Sequence, residues 1–125
     1  MRVLVIDDDA TFCRYLAEVL THLGHETDWV DDGFEGFAQA LRTSYDVVIC
    51  DVRMPLILGT ELVAELRRDR PEQRVVLVSA FADEQLERQA QERGAYLLSK
   101  PFDADLLQGV LNHIAAQRTA IHQEL

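Results

Sequence analysis

The sequence of 125 residues predicts one α/β domain built on a doubly wound parallel sheet. Short apolar runs alternate with longer segments of helical period, about five times along the chain. The runs are apolar at nearly every position, which is typical of strands that helices cover on both faces. Right-handed crossovers would join such units into an open sheet, and ligands bind such sheets at the carboxyl ends of the strands.

The first βα unit joins the run VLVI at residues 3–6 to a helix over residues 11–24. Apolar residues recur on one stripe of this helix, and Gly24 is predicted to end it. The stripe consists of Phe12, Tyr15, Leu16, Val19, Leu20 and Leu23. Asp9 stands just before the helix and is predicted to be its N-cap.

The second and third units follow the same pattern. ETDWV at 26–30 predicts a strand, and a helix over 33–44 follows the turn DDG. DVVIC at 46–50 predicts a fully buried strand. The helix over 59–71 is predicted to end at its last residue, a proline.

The fourth and fifth units complete the predicted sheet. RVVLVS at 74–79 predicts the fourth strand, and a polar helix is predicted over 83–94, from an aspartate to a glycine. AYLLS at 95–99 predicts the last strand, and another aspartate is predicted to cap the helix over 103–121.

Composition excludes several classes of function. The net charge of −10, from 12 basic and 22 acidic residues, argues against a nucleic-acid surface or docking to anionic lipid. No apolar run is long enough to span a membrane, and the N-terminus lacks a signal-peptide pattern, so we expect a cytoplasmic protein. Cys13 and Cys50 fit no Cys-x-x-Cys motif and are predicted to be buried small hydrophobes.

Polar residues with chemical potential stand where the predicted strands end. They are Asp7, Asp8 and Asp9 after the first strand, Asp51 after the third, Ser79 at the end of the fourth and Lys100 after the fifth. Crowded carboxylates repel one another, so a cation or a lysine must compensate them. Oxygen ligands of this kind suit magnesium, a lysine suits a phosphoryl oxygen, and an aspartate can accept phosphorus as an acyl phosphate.

Four segments resemble the signature segments of response-regulator receiver domains. They are VLVIDDD, DVVICDVRMP, VVLVSA and KPF, in the family's order and close to its spacing. The resemblance covers residues 1–118, and 119–125 would be helix overrun or the start of a linker. It implies a flavodoxin-like (βα)5 sandwich with strand order 2-1-3-4-5. The function it implies is to accept a phosphoryl group from a histidine kinase or phosphotransfer protein and then control an output domain or partner. The domain would be an enzyme only in its own phosphorylation and dephosphorylation.

The resemblance also implies a phosphoacceptor and a metal site. Asp51 would be the phosphoacceptor. Asp8 and Asp51 would ligate Mg²⁺ or Mn²⁺, with Asp7 acting through water or by its charge. The backbone carbonyl of Arg53 would be the third protein ligand.

Other residues would respond to the phosphoryl group. Lys100 would pair with Asp51 and then with the phosphoryl group, and Ser79 would supply the switch hydroxyl. The bond before Pro101 would be cis. The surface that moves, which a partner or a second copy in a homodimer would contact, comprises helix 83–93, strand 95–98 and helix 103–118.

The sequence departs from the family pattern in three places. Leu58 replaces the acidic residue usual before the glycine of the third loop, so we expect Thr60 to cap the next helix. Leu97 stands at the aromatic switch position, with Tyr96 on the opposite side of the strand. Arg53 and Phe81 are bulky residues at the two positions that flank the path of the hydrolytic water in the family. The apolar loop at 56–58 also distinguishes this chain.

Two other functions remain open on the sequence. DDDAT fits the Asp-x-Asp-x-Thr motif of haloacid-dehalogenase-like phosphatases, with Asp7 as nucleophile and Asp9 as acid. Ser79 and Lys100 suit that family's next two motifs, although the chain lacks a convincing late acidic pair and a cap domain. The third hypothesis is an unphosphorylated pseudo-receiver scaffold, against which the intact site residues argue.

Overall fold

The computed structural model describes the backbone of residues 1–124 and the side chains of residues 1–117. Strands and helices alternate throughout. The strands are β1 (Arg2–Ile6), β2 (Glu26–Val30), β3 (Val47–Asp51), β4 (Arg74–Ser79) and β5 (Tyr96–Ser99). The helices are α1 (Ala10–His22), α2 (Gly33–Arg42), α3 (Gly59–Asp69), α4 (Glu84–Glu92) and α5 (Ala104–Glu124). The predicted overrun or linker at 119–125 lies outside the residues with described side chains.

All five strands are parallel and pair in the order β2-β1-β3-β4-β5, which confirms the predicted doubly wound fold. The strand order reverses at β1, which pairs with β2 on one side and with β3 on the other. The carboxyl ends of β1 and β3 are therefore adjacent at the switch point, where ligands bind in such sheets.

Helices cover the two faces of the sheet, and each face has its own apolar core. One core contains Leu62 and Leu66 of α3 with Leu86 of α4. The other contains Leu16 of α1 and Leu111 of α5. Because both faces are buried, β3 is buried at each of its five positions: the four apolar residues of VVIC, as their sequence predicts, and Asp51.

Most predicted helix starts are confirmed, and one is wrong. Asp9 caps α1, and Asp83 caps α4. Thr60 does not cap α3: it lies buried inside the first turn, and Leu58 is the N-cap residue. Glu61 supplies the compensating contact, because its Oε1 accepts a hydrogen bond from the Leu58 backbone N–H at 3.2 Å.

In the described part of the chain, no helix combines the length and the apolar character needed to cross a membrane.

Candidate functional site

Three carboxylates meet at the carboxyl ends of β1 and β3. Asp7 and Asp8 follow β1 directly, and Asp51 is the last residue of β3. Ligand oxygens of the three lie within 4.8 Å of one another. Asp7 and Asp51 are buried, whereas Asp8 is exposed. The cluster thus offers hard oxygen donors with one open side, and this donor set fits a magnesium ion that retains several waters.

The Lys100 ammonium lies beside the carboxylates. Its Nζ is 2.8 Å from Asp7 Oδ2 and 3.5 Å from Asp51 Oδ1. The lysine therefore contacts both carboxylates. Its shorter contact is with Asp7, whereas the family resemblance implied Asp51 as its partner. The Lys100 backbone is held beside β4, because its N–H donates a hydrogen bond to Ser79 O at 2.8 Å. The peptide bond between Lys100 and Pro101 is cis, as expected.

Asp7 also fixes the start of α1. Its Oδ1 accepts a hydrogen bond from the Asp9 backbone N–H at 2.9 Å. Asp9 Oδ1 in turn accepts from the backbone N–H groups of Thr11 and Phe12 at 3.0 and 3.2 Å. Two of the three crowded aspartates thus belong to the carboxylate cluster, and the third caps the helix.

Burial and charge shift the titration of Asp51. The pKa of the Asp51 carboxyl is raised from 3.8 to about 6, mainly by burial and also by the charges of Asp7 and Asp8, against the opposing effect of Lys100. Burial tends to lower the pKa of Lys100, but its contacts with Asp7 and Asp51 outweigh this and raise it. The lysine is therefore a fixed positive charge at neutral pH.

The raised pKa predicts that Asp51 lowers the stability of the metal-free protein at neutral pH. The folded state holds the Asp51 proton up to about pH 6, whereas the unfolded state releases it near 3.8, so stability falls as pH rises between these values. The Asp51→Asn variant should lack this loss and gain on the order of 2 kcal/mol at pH 7. Urea unfolding at pH 4 and pH 7 with a chelator measures it. A difference between variant and wild type that does not grow with pH would contradict the prediction.

The predicted switch residues lie along β4 and β5. Ser79 is buried, and its Oγ accepts a hydrogen bond from the Phe81 backbone N–H at 3.1 Å. Leu97 packs against the core beneath α3 and α4. Tyr96 lies on the opposite face, as predicted, and its hydroxyl donates to Gln117 Oε1 on α5 at 3.0 Å.

The loops after β3 and β4 carry two large side chains that lie near each other. The Arg53 guanidinium lies 6.0 Å from the centroid of the Phe81 ring, within range of a cation–π contact. Phe81 is 72% exposed and Arg53 is exposed too, so this pair lies at the surface of the protein.

The apolar loop at 56–58 divides between core and surface. Ile57 packs on the core, against Gly33, where an added Cβ would lie 2.5 Å from Ile57 Cγ2. Leu56 is 90% exposed and has a φ of 72°, and Leu58 is 46% exposed. Inward packing and exposure thus occur in neighbouring residues of this loop.

A family model for the response regulator receiver domain matches residues 3–112. The chain belongs to this family. The order of the strands agrees with the fold that the resemblance implied. Membership of this family argues against the hypothesis of a haloacid-dehalogenase-like phosphatase, which the motif DDDAT suggested.

Curated relatives are longer than this receiver domain. A response regulator receiver protein from Anaeromyxobacter sp. strain Fw109-5 is 40% identical over 101 residues, covering 80% of this chain and 42% of the relative. The transcriptional regulatory protein ZraR of Salmonella typhimurium is 31% identical over 125 residues, covering 98% and 28%. The chain thus spans less than half the length of these two relatives.

Solved structures show the same fold. A response regulator receiver domain from Clostridium thermocellum superposes with a TM-score of 0.90 at 27% identity, covering 96% of this chain and 98% of that one. The chemotaxis protein CheY4 of Vibrio cholerae gives 0.84 at 27% identity, covering 90% and 97%.

One neighbour of the site was missed in the sequence. Phe12 was assigned to the apolar stripe of the first helix, yet its ring centroid lies 4.1 Å from Lys100 Nζ. Its position in the first turn of α1 could have indicated this contact, because that turn starts at the carboxyl end of β1, where the site lies.

Proposed function

We propose that this receiver domain accepts a phosphoryl group on Asp51 and uses Mg²⁺ or Mn²⁺ in doing so. The observation that carries the proposal is the cluster of Asp7, Asp8 and Asp51 oxygens within 4.8 Å, with the Lys100 ammonium in contact with two of them. Asp8, Asp51 and the backbone carbonyl of Arg53 would ligate the metal, with Asp7 nearby. The metal would supply positive charge to the oxygens of the transferring group.

The chain's own residues account for the chemistry of transfer. An Asp51 oxygen forms a bond to phosphorus while the bond from phosphorus to the donor breaks, and the donor leaves with that electron pair. The donor is a phosphohistidine of a kinase or phosphotransfer protein, or a small acyl phosphate. Lys100 neutralises charge on the phosphoryl oxygens, which matters because this reaction depends on positioning and electrostatics.

Peptide mapping by mass after incubation with acetyl phosphate and Mg²⁺ tests the proposal. Label is expected on the peptide that contains Asp51. Label on Asp7 would instead support phosphatase-like chemistry, and an unlabelled protein would support the pseudo-receiver scaffold. Either result would overturn the proposal.

The metal assignment gives a separate prediction. Asp8→Ala should weaken Mg²⁺ binding and lower Mg²⁺-dependent labelling at least about 10-fold, because it removes one of three clustered carboxylates. Asp9→Ser is the matched control, since it removes a neighbouring charge but leaves a residue that can cap α1. Calorimetric titration measures the affinities. Equal Mg²⁺ affinity in wild type and Asp8→Ala would show that Asp8 is not a ligand.

We further propose that phosphorylation changes the surface formed by residues 83–93, 95–98 and 103–118, which an output domain, a partner or a second copy then contacts. Ser79 would exchange its hydrogen bond from Phe81 for one to the phosphoryl group. Leu97 has no hydroxyl and is smaller than an aromatic residue. Its contacts would therefore differ less between the unphosphorylated and the phosphorylated form than those of an aromatic residue. A smaller difference in contacts couples the surface less strongly to phosphate.

The Arg53–Phe81 pair predicts a long-lived phosphorylated form. Hydrolysis needs a water in line with the bond to phosphorus, and in the family the two positions that these side chains occupy flank the path of that water. The pair is in mutual contact range here, and neither side chain is an acid or amide suited to orienting water. Arg53→Asn and Phe81→Glu should each accelerate loss of phosphate severalfold in a decay assay. Unchanged decay in both variants would refute the steric explanation.

A further inference from the structure

Lys100 has a third neighbour besides the two carboxylates. Its Nζ lies 4.1 Å from the centroid of the Phe12 ring, well inside the range of about 6 Å for cation–π attraction. The ring attracts the charge without a hydrogen-bond acceptor atom. The three ammonium N–H groups therefore remain available to oxygens, at present those of Asp7 and Asp51.

The Phe12 ring is itself fixed from two directions. The Phe12 backbone N–H donates a hydrogen bond to the Asp9 side chain, and the Asp9 backbone N–H donates one to the Asp7 carboxylate. These two hydrogen bonds connect the start of the helix to the carboxylate cluster. The Phe12 ring also packs edge to face on Phe102, with centroids 6.3 Å apart and planes at 88°. Phe102 lies two residues after Lys100, so both chain segments that meet at the site hold the ring in place.

We propose that Phe12 is a positioning residue that holds the Lys100 ammonium beside Asp51 through the face of its ring. The proposal rests on phosphoryl transfer to Asp51, the function proposed above. Lys100 is closer to Asp7 than to Asp51, and 22% of its side chain is exposed. The ammonium therefore needs a further restraint to stay where it can neutralise a phosphoryl group on Asp51, and the ring supplies one without competing for its N–H groups.

A series of fluorinated phenylalanines at position 12 separates this role from simple packing. One, two and three fluorine atoms weaken the negative potential of the ring face stepwise while changing its volume little. The rate of labelling at saturating acetyl phosphate should fall with each fluorine, reaching about threefold to tenfold for the trifluorinated ring. The half-saturating acetyl phosphate concentration should change little, because in this proposal the ring acts through Lys100 rather than by contact with the donor.

Three further variants show whether the effect depends on the ring and on Lys100. Phe12→Tyr keeps an aromatic face and should label at nearly the wild-type rate, whereas Phe12→Leu should be as slow as the trifluorinated protein. Tyr15→Leu is the matched control: this exposed ring is 6.4 Å from the Phe12 ring on the same helix and should leave the rate unchanged. In a Lys100→Met background the fluorine series should be flat, as a double-mutant cycle requires.

A flat fluorine series in otherwise wild-type protein would overturn the role of Phe12 and leave phosphorylation of Asp51 intact. A series that falls equally in the Lys100→Met background would overturn it too, because the effect would not act through the lysine. A wild-type protein that takes up no phosphate would overturn the proposed function first and this role with it.

Discussion

Replacing Asp51 by asparagine is expected to abolish phosphorylation by acetyl phosphate. The amide is a poor nucleophile toward phosphorus. Of the remaining carboxylates, Asp7 is already held by Lys100 and the Asp9 backbone, and Asp8 is an exposed side chain on the open side of the cluster. Labelling measured by mass should therefore fall at least about 100-fold, as for loss of a catalytic nucleophile.

The stability of the same variant provides the control. Asp51→Asn should fold and, without metal, should be more stable than wild type at pH 7, since the asparagine carries no buried charge. Loss of labelling in a protein of raised stability cannot result from misfolding. Undiminished labelling of this variant would place the phosphoacceptor elsewhere.

Replacing Gly59 by alanine is expected to have the largest effect on stability. Gly59 begins α3, and its N–H donates to Val52 O at 2.7 Å, which closes the loop after Asp51. An added Cβ would lie against the backbone carbonyl oxygen of Asp51 and 2.9 Å from Val52 Cα. Backbone atoms cannot rotate away as a side chain can, so we expect a loss of about 3 kcal/mol or more, measured by urea unfolding.

Gly109 offers a matched control for this substitution. It is exposed within α5, and an added Cβ there would meet nothing within 4 Å. Gly109→Ala should stabilise the domain by up to about 1 kcal/mol, because alanine favours the helix. If Gly59→Ala unfolds at the same urea concentration as wild type, the close approach of α3 to the Asp51 backbone is not a constraint. If it unfolds earlier, labelling of the folded fraction should also be slower, since Asp51 itself must shift.

Sequence pattern was sufficient to predict the elements, and the family resemblance implied their order of pairing. Five short runs, most of them largely apolar, separated by amphipathic segments predict a covered parallel sheet, and each strand was placed to within one residue of its observed bounds. The helix ends were less well predicted: α1 ends at His22 and α3 at Asp69, each two residues before the predicted end. Local pattern determines which face of a segment is apolar but only weakly determines where its last turn frays.

The sequence by itself determined which residues meet at the site. Parallel strands present their carboxyl ends at one edge, so Asp7, Asp8, Asp51 and Lys100 had to converge once the strands were placed. Only the tertiary structure decided how they pair: the ammonium lies closer to Asp7 than to Asp51, and the Phe12 ring covers it. Lys100 and Asp7 are 93 positions apart, so a difference of less than 1 Å between two partners depends on how whole elements pack, which no local pattern encodes.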